Sequence, residues 1–415
     1  MKIYNINQNK KVVSLSNGIT LIHEQINHGN SFMLSITANA GSRDDFEGKD
    51  GLAHFVEHIL FRRNKKQTNT QLAKEFEKTG TVYNAFTEQE ATTFYLKGLN
   101  EKFVQVFKLI SRFFVCPIFE KKDFEKEKTI IVEEIRSYQD DPEEYILDLG
   151  NEALFPKHPL GKMITGTEKS LKKIELTDIE NFFKLNYVAS NLIISFVGNI
   201  DFDIVQKVAD ENLSQIEPRE IHKTIQPLPQ NVIAEKIVKR SLEQSHILSQ
   251  IRIDNLDENN FTKLKLLSYY LSESPSSVIY NQLREKYGLV YNVFTNVEQF
   301  AETSILQLYY ATQLDNLEKS ERIINDIFKK IQDKKINKEL FNLSKSALIA
   351  QHIYRMESPY EIMIHNLKEW IYDGKYAYNN FIPKIKQVNL DDFAEFSSNI
   401  LSNCNWSVVK LLQRK

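Results

Sequence analysis

Cysteine is nearly absent: Cys116 and Cys404 are the only two in 415 residues. They form no CxxC pair, no disulfide framework and no thiolate metal site, and the expected compartment is a reducing cytosol, a bacterial one being expected from the lack of a presequence. Glycine (13) and proline (10) are scarce, and no low-complexity tract occurs, which excludes collagen-like and linker-like chains. Neither sign of charge is in excess, with Lys+Arg 53, Asp+Glu 55 and a net charge of -2. That balance offers no electrostatic footprint for nucleic acid or an anionic membrane, so neither is expected as a partner. Long apolar runs are missing too. Nothing reaches the ~18 consecutive apolar residues of a membrane helix. The opening MKIYNINQNKKVVSLSNG lacks the apolar stretch of a signal peptide.

What is plentiful is aromatic area: 26 Phe and 18 Tyr in a chain that is 42% hydrophobic. A large core needs no covalent staple, and the length admits two domains of ~100–200 residues. Pro218, Pro227 and Pro229 fall in one polar stretch, SQIEPREIHKTIQPLPQN. Proline removes backbone donors, so this stretch reads as neither helix nor central strand. The division it implies is a domain over 1–213, a linker over 214–230 and a domain over 231–415.

The halves look related. FEKEKTIIVEEIRSYQDDP (124–142) and FNLSKSALIAQHIYRMESP (341–359) both start at Phe, stop at Pro and carry a helical apolar period. Each half also ends in a helix-then-strand pattern, which a duplicated unit explains most simply. Strands are predicted over 11–15, 19–23, 32–38 and 92–98, and helices over 51–62, 70–79, 101–115 and 121–138. The mixture lacks strict βαβ alternation, so the fold class is α+β: two homologous domains, each a mostly antiparallel sheet faced by helices.

The segment GLAHFVEHILF contains His54-Phe55-Val56-Glu57-His58. On a helix, i and i+4 share a face, so both imidazoles can reach one metal ion. Glu57 borders that face and can approach a water there without ligating the metal. This ordering is an inverted zinc signature. The plainer reading is a helix with two histidines and a glutamate by accident. A catalytic zinc needs a third protein ligand. The helix over 121–138 offers Glu125, Glu127, Glu133 and Glu134. Glu127 and Glu134 lie nearly two turns apart and share a stripe with Ile130, Ile131 and Ile135 that should point inward. Buried carboxylates need a cation, although without the histidines the same pattern describes a solvated face.

These segments resemble the insulinase/pitrilysin-type (M16) zinc peptidases, the family that includes mitochondrial processing peptidase. NGITLI, AGSRDD, GTVYNAFTEQEATTFY, FEKEKTIIVEEI, HPLGKMITGT, YVASNLIISFVGN and LREKYGLVYNV follow in the family's order through both halves. The resemblance implies a zinc-dependent endopeptidase with one Zn2+ per chain, held by His54, His58 and Glu134. Glu57 would be the general base and Glu127 an outer support. Asn84 and Ala85 would bind substrate as an added strand, and Arg284 and Tyr291 would steady the carbonyl and the oxyanion. Gln351 and Ser344 stand where Glu134 and Glu127 have counterparts, so the second half should hold no metal. The family's half-length chains pair, so the implied partners are a peptide and a second copy or a homologous chain. After ILF, Arg62-Arg63-Asn64 replaces the family's usual Gly-Thr turn, which implies a cleft altered toward acidic peptides. Two other readings remain: a non-catalytic peptide-binding subunit of a heterodimeric processing peptidase, and a zinc enzyme acting on a non-peptide substrate.

Overall fold

Two sheets carry the chain and share one plan. The computed structural model describes residues 3–5, 9–221, 223, 225–231, 233–372, 381–403 and 406–414; Cys404 lies outside them. The first sheet comprises β1 (Ile3–Asn5), β2 (Lys10–Ser14), β3 (Thr20–Gln25), β4 (Ser31–Ala38), β5 (Val82–Thr87), β6 (Thr92–Leu99) and β7 (Leu192–Gly198). Its order is β1-β2-β3-β7-β4-β6-β5, and only the β3/β7 pair is parallel. The second sheet comprises β8 (Glu235–Arg240), β9 (Ser245–Asp254), β10 (Val290–Gln299), β11 (Thr303–Thr312) and β12 (Ser407–Gln413). Its order is β10-β11-β9-β12-β8, and only β12/β8 is parallel. Read from the other end, β8-β12-β9-β11-β10 repeats β3-β7-β4-β6-β5 strand for strand, with the parallel pair in the same place. The fold is α+β and duplicated.

The local sequence explains the strands. LIISFVG in β7 and TSILQLYYAT in β11 are buried along their whole length, as continuous apolar runs covered on both faces should be. EKIVKR in β8 alternates half-buried with exposed positions, the period of a strand with one wet face. The strands predicted over 11–15, 19–23, 32–38 and 92–98 appear as β2, β3, β4 and β6, and the four predicted helices appear with ends shifted by a few residues. Among the described residues of 217–234 there is neither helix nor strand, in keeping with the prolines.

The compact units are not contiguous in sequence. One unit holds Met1–Ser137, Lys162–Pro227 and Met356–Lys368; the other holds Tyr138–Gly161, Leu228–Arg355 and Glu369–Lys415. The expected division at 1–213, 214–230 and 231–415 therefore differs from the units at two segments. Helix Pro142–Leu154, encoded in the first half, buries Ile146 and Leu149 against Leu248, Tyr309, Val409 and Leu411 of the second sheet. Helix Pro359–Ile371, encoded in the second half, buries Ile362 and Met363 against Met33 and Val197 of the first. Each helix follows one of the two matched 19-residue segments, so the exchange is itself duplicated. Sequence periodicity shows that a helix has an apolar face but not which sheet covers it.

The first unit's core orients the helices that matter for function. Phe55, on helix Leu52–Leu60, stacks on Phe124, on helix Lys121–Asp140, with centroids 4.8 Å apart and planes 5° apart. Both rings are fully enclosed. Two helices distant in sequence are thereby fixed side by side at the level where their polar groups meet.

Candidate metal centre

Helix Leu52–Leu60 starts at a left-handed glycine. Gly51 has φ +95°, and a Cβ there would lie 2.5 Å from the Thr165 carbonyl oxygen. Conformation and space both demand glycine. Gly166 makes the reciprocal approach, since its Cβ would lie 2.1 Å from the Asp50 carbonyl oxygen. The end of HPLGKMITGT is thus packed against the helix start. Asp45 caps the helix: the Gly51 and Ala53 amides each donate to its carboxylate at 2.7 Å, satisfying donors that the helix leaves open. Burial pushes the Asp45 carboxyl up to about 8, against the pull of these amides. In the preceding residues, the Ser42 and Arg43 amides donate to Glu88 and Gln89 at 3.1 and 2.9 Å, and Arg43 pairs with buried Glu90. AGSRDD therefore ties the β5–β6 turn to the helix start.

The helix points His54 and His58 to one side, their ring centroids 4.5 Å apart. Glu134 comes to them from helix Lys121–Asp140. Its Oε1 lies 3.7 Å from His54 Nε2, and its Oε2 lies 3.3 Å from His58 Nε2. One donor atom from each of the three residues falls within 4.8 Å of the other two. Donors about 2.0–2.1 Å from a tetrahedral ion stand about 3.4 Å apart, so this set fits a single zinc ion. Among the described residues it is the only such group of three. Burial pushes the His54 imidazole down to about 4, which keeps it neutral and ready to ligate. Burial also lowers His58, but hydrogen bonds to Glu127 and Glu134 outweigh it and raise the ring to about 9. Burial raises Glu134, but the hydrogen bond to His58 and the charge of that ring win, lowering it below the usual carboxylate range.

Support for the two histidines is unequal. His58 Nδ1 lies 3.1 Å from Glu127 Oε2, and Glu127 is only 2% exposed. That contact fixes the ring so that Nε2 faces Glu134. His54 Nδ1 is buried with no hydrogen-bond partner. The inward stripe expected on helix Lys121–Asp140 needs one correction. Ile131 and Ile135 are buried, but Ile130 is exposed, because it lies about 60° to the other side of Glu127 from them.

Glu57 is buried and accepts a hydrogen bond from Thr87 Oγ1 at 2.6 Å. Burial raises its carboxyl, with the Thr87 bond opposing. Thr87 is a site residue that the sequence reading missed. It belongs to β5, and only the tertiary pairing of sheet and helix brings it to Glu57. β5 is the last strand in its sheet, so one edge has no described strand beside it. Asn84 and Ala85 sit on it opposite Tyr95 and Phe94 of β6. The Ala85 amide donates to Asn84 Oδ1 at 2.9 Å.

Arg284 and Tyr291 belong to the second unit. The Arg284 guanidinium lies 5.2 Å from the Tyr291 ring centroid and the same distance from Tyr280, whose hydroxyl it contacts at 2.6 Å. Tyr291 is 75% exposed, so it does not pack in the core of its strand. Ser344 is buried and Gln351 exposed on helix Lys338–Arg355. The expected effect of the Arg62-Arg63 turn on the cleft is also corrected. Arg62 pairs with Glu127, and Arg63 pairs with Glu120 and Asp123, so both charges are spent on the protein's own carboxylates.

Residues 21–168 match the description "Insulinase (Peptidase family M16)", and residues 173–348 match "Peptidase M16 inactive domain". The chain belongs to peptidase family M16. An uncharacterized zinc protease of Rickettsia felis is 25% identical to it over 412 residues, covering 97% of each chain. The Bacillus subtilis zinc protease YmxG, also uncharacterized, is 26% identical over 392 residues, covering 92% of this chain and 93% of its own. Among solved structures, the "peptidase M16 inactive domain" protein of Pseudomonas fluorescens superposes with a TM-score of 0.90 at 16% identity, covering 98% of each chain. Among the described residues, no helix is long and apolar enough to cross a membrane.

Proposed function

We propose that the chain is a zinc metalloendopeptidase cleaving short or unfolded peptides, with one ion held by His54, His58 and Glu134. The observation that carries this reading is the convergence of those three donors within 4.8 Å beside a buried Glu57. When bound, zinc supplies Lewis acidity to the scissile carbonyl and to the attacking water. The chain's own residues do the rest. Glu57 receives the water proton and delivers it to the leaving amine. Thr87 engages its Oε2, which leaves Oε1 for the water. Burial raises the Glu57 carboxyl, which strengthens it as a base. Glu127 keeps the His58 ring in place. Asn84 and Ala85 offer the open edge of β5 to an extended peptide, a mode that reads backbone more than side chains. Arg284 and Tyr291 hold the substrate carbonyl and its developing charge, in a dimer with a second copy or a homologous chain.

The test is cleavage of a mixed peptide library by the zinc-loaded chain, read by mass spectrometry, beside a Glu57→Gln variant. Cuts by the wild type and none by a variant that still binds zinc are expected. Stoichiometric zinc without any cut would favour a non-catalytic peptide-binding subunit. Mixing Glu57→Gln chains with Arg284→Ala chains tests the dimer: recovered activity is expected, and no recovery argues against sites shared between chains.

A further inference from the structure

The turn after the motif helix carries two adjacent arginines, and both reach the helix that bears Glu134. Arg62 places its Nε and Nη2 on Glu127 Oε1. The other oxygen of that carboxylate holds His58 Nδ1 at 3.1 Å. Arg63 contacts Asp123 through Nε and Glu120 through Nη1. Glu120 precedes helix Lys121–Asp140, and Asp123 lies in its first turn.

We propose that Arg62 and Arg63 form an ionic clamp that assembles the metal site before the metal arrives, with Arg62 acting as a positioning residue through Glu127. This rests on the zinc reading above and adds to it a determinant of affinity.

The physical need is plain. Glu127 is 2% exposed, and a buried carboxylate without a cation is strongly unfavourable. The Arg62 guanidinium supplies that cation on one carboxylate oxygen, and Glu127 points its second oxygen at His58. A carboxylate behind a ligating imidazole fixes its orientation and raises its basicity. Arg62 also follows the C-terminal end of helix Leu52–Leu60, where a cation is favoured. Arg63 works on the backbone instead. It ties the end of the helix bearing His54 and His58 to the start of the helix bearing Glu134. The Phe55–Phe124 stack fixes the same two helices on their apolar side. Rigid support of this kind lowers the ordering cost that binding must otherwise overcome.

The experiment measures zinc dissociation constants by chelator competition on the full chain, with the melting temperature of the metal-free protein read in parallel. Arg62→Met should weaken zinc binding about 10–100-fold, the usual effect of losing an outer partner of a ligand, and Arg62→Lys should recover part of it. Arg63→Gly leaves the Glu127 pair intact and should weaken binding by a smaller factor. In a Glu127→Gln background, Arg62→Met should change affinity no further, because Arg62 acts only through that carboxylate. This last comparison also serves if Arg62→Met alone does not fold. Wild-type affinity in both single variants, or a full loss on adding Arg62→Met to Glu127→Gln, overturns the clamp. A wild-type chain that binds no zinc overturns the metallopeptidase reading instead, which keeps the two failures apart.

Discussion

Thr87 Oγ1 donates to Glu57 Oε2 at 2.6 Å. One bond therefore links the edge strand β5 to the carboxylate next to His58. A peptide added to β5 would lie beside the strand that orients the base, so substrate binding and base position share an element.

Replacing Thr87 by Val keeps the side-chain shape and removes the donor. The expected result is a kcat lower by about 10–100-fold, with zinc content and KM close to wild type. Steady-state kinetics on a fluorogenic peptide, with metal analysis, checks it. An unchanged kcat would show that Glu57 needs no such hold.

Ala85 lies on the last strand of its sheet, and its amide donates to the Asn84 side chain. Ala85→Pro should thus be tolerated by the fold, as proline is at sheet edges, yet deny an incoming strand one donor. KM is expected to rise about tenfold, the equivalent of one net hydrogen bond of about 1.4 kcal/mol, with the melting temperature little changed. Equal KM values for the two proteins would argue against strand addition at this position.

Gly51 starts the motif helix at φ +95° with Thr165 pressed against it. Gly51→Ala should cost at least about 1–3 kcal/mol from the left-handed backbone alone, and the overlap adds to that. Asp45→Ala removes the cap and should cost about 0.5–2 kcal/mol. Urea unfolding of the metal-free chain measures both, and Gly51→Ala should be the worse.

Asp148, on helix Pro142–Leu154, is pushed up by burial, and further by Glu144, to about 6 from 3.8. The folded state therefore holds a proton there that the unfolded chain has already lost. Stability from this group is fully present below about 3.8 and falls as the pH rises toward about 6. Asp148→Asn, which cannot ionise, should stabilise the protein at pH 7 by on the order of 3 kcal/mol. The gain should shrink steadily as the pH falls toward 4. Urea midpoints of the two proteins across that range decide the matter; a gain independent of pH would contradict it.

Much of this was readable from residues. The i, i+4 histidines, the alternating strands and the stripe shared by Glu127 and Glu134 are local periodicities, and local periodicity survives in a single sequence. The repeated Phe-to-Pro segments announced the duplication that the strand orders display. Thr87 was hidden because its partner lies 30 positions away, across a sheet–helix contact. The exchanged helices were hidden because an apolar face does not name the sheet that covers it. Arg62 and Arg63 were read as cleft charges because a charged turn looks solvated until its carboxylate partners are placed beside it.

The most direct measurement is the zinc content of the purified chain and of its Glu134→Gln variant after dialysis against metal-free buffer. The account predicts one ion per wild-type chain and almost none in the variant, whose circular dichroism stays native. A Glu134→Gln chain that keeps its zinc as tightly as the wild type would contradict it.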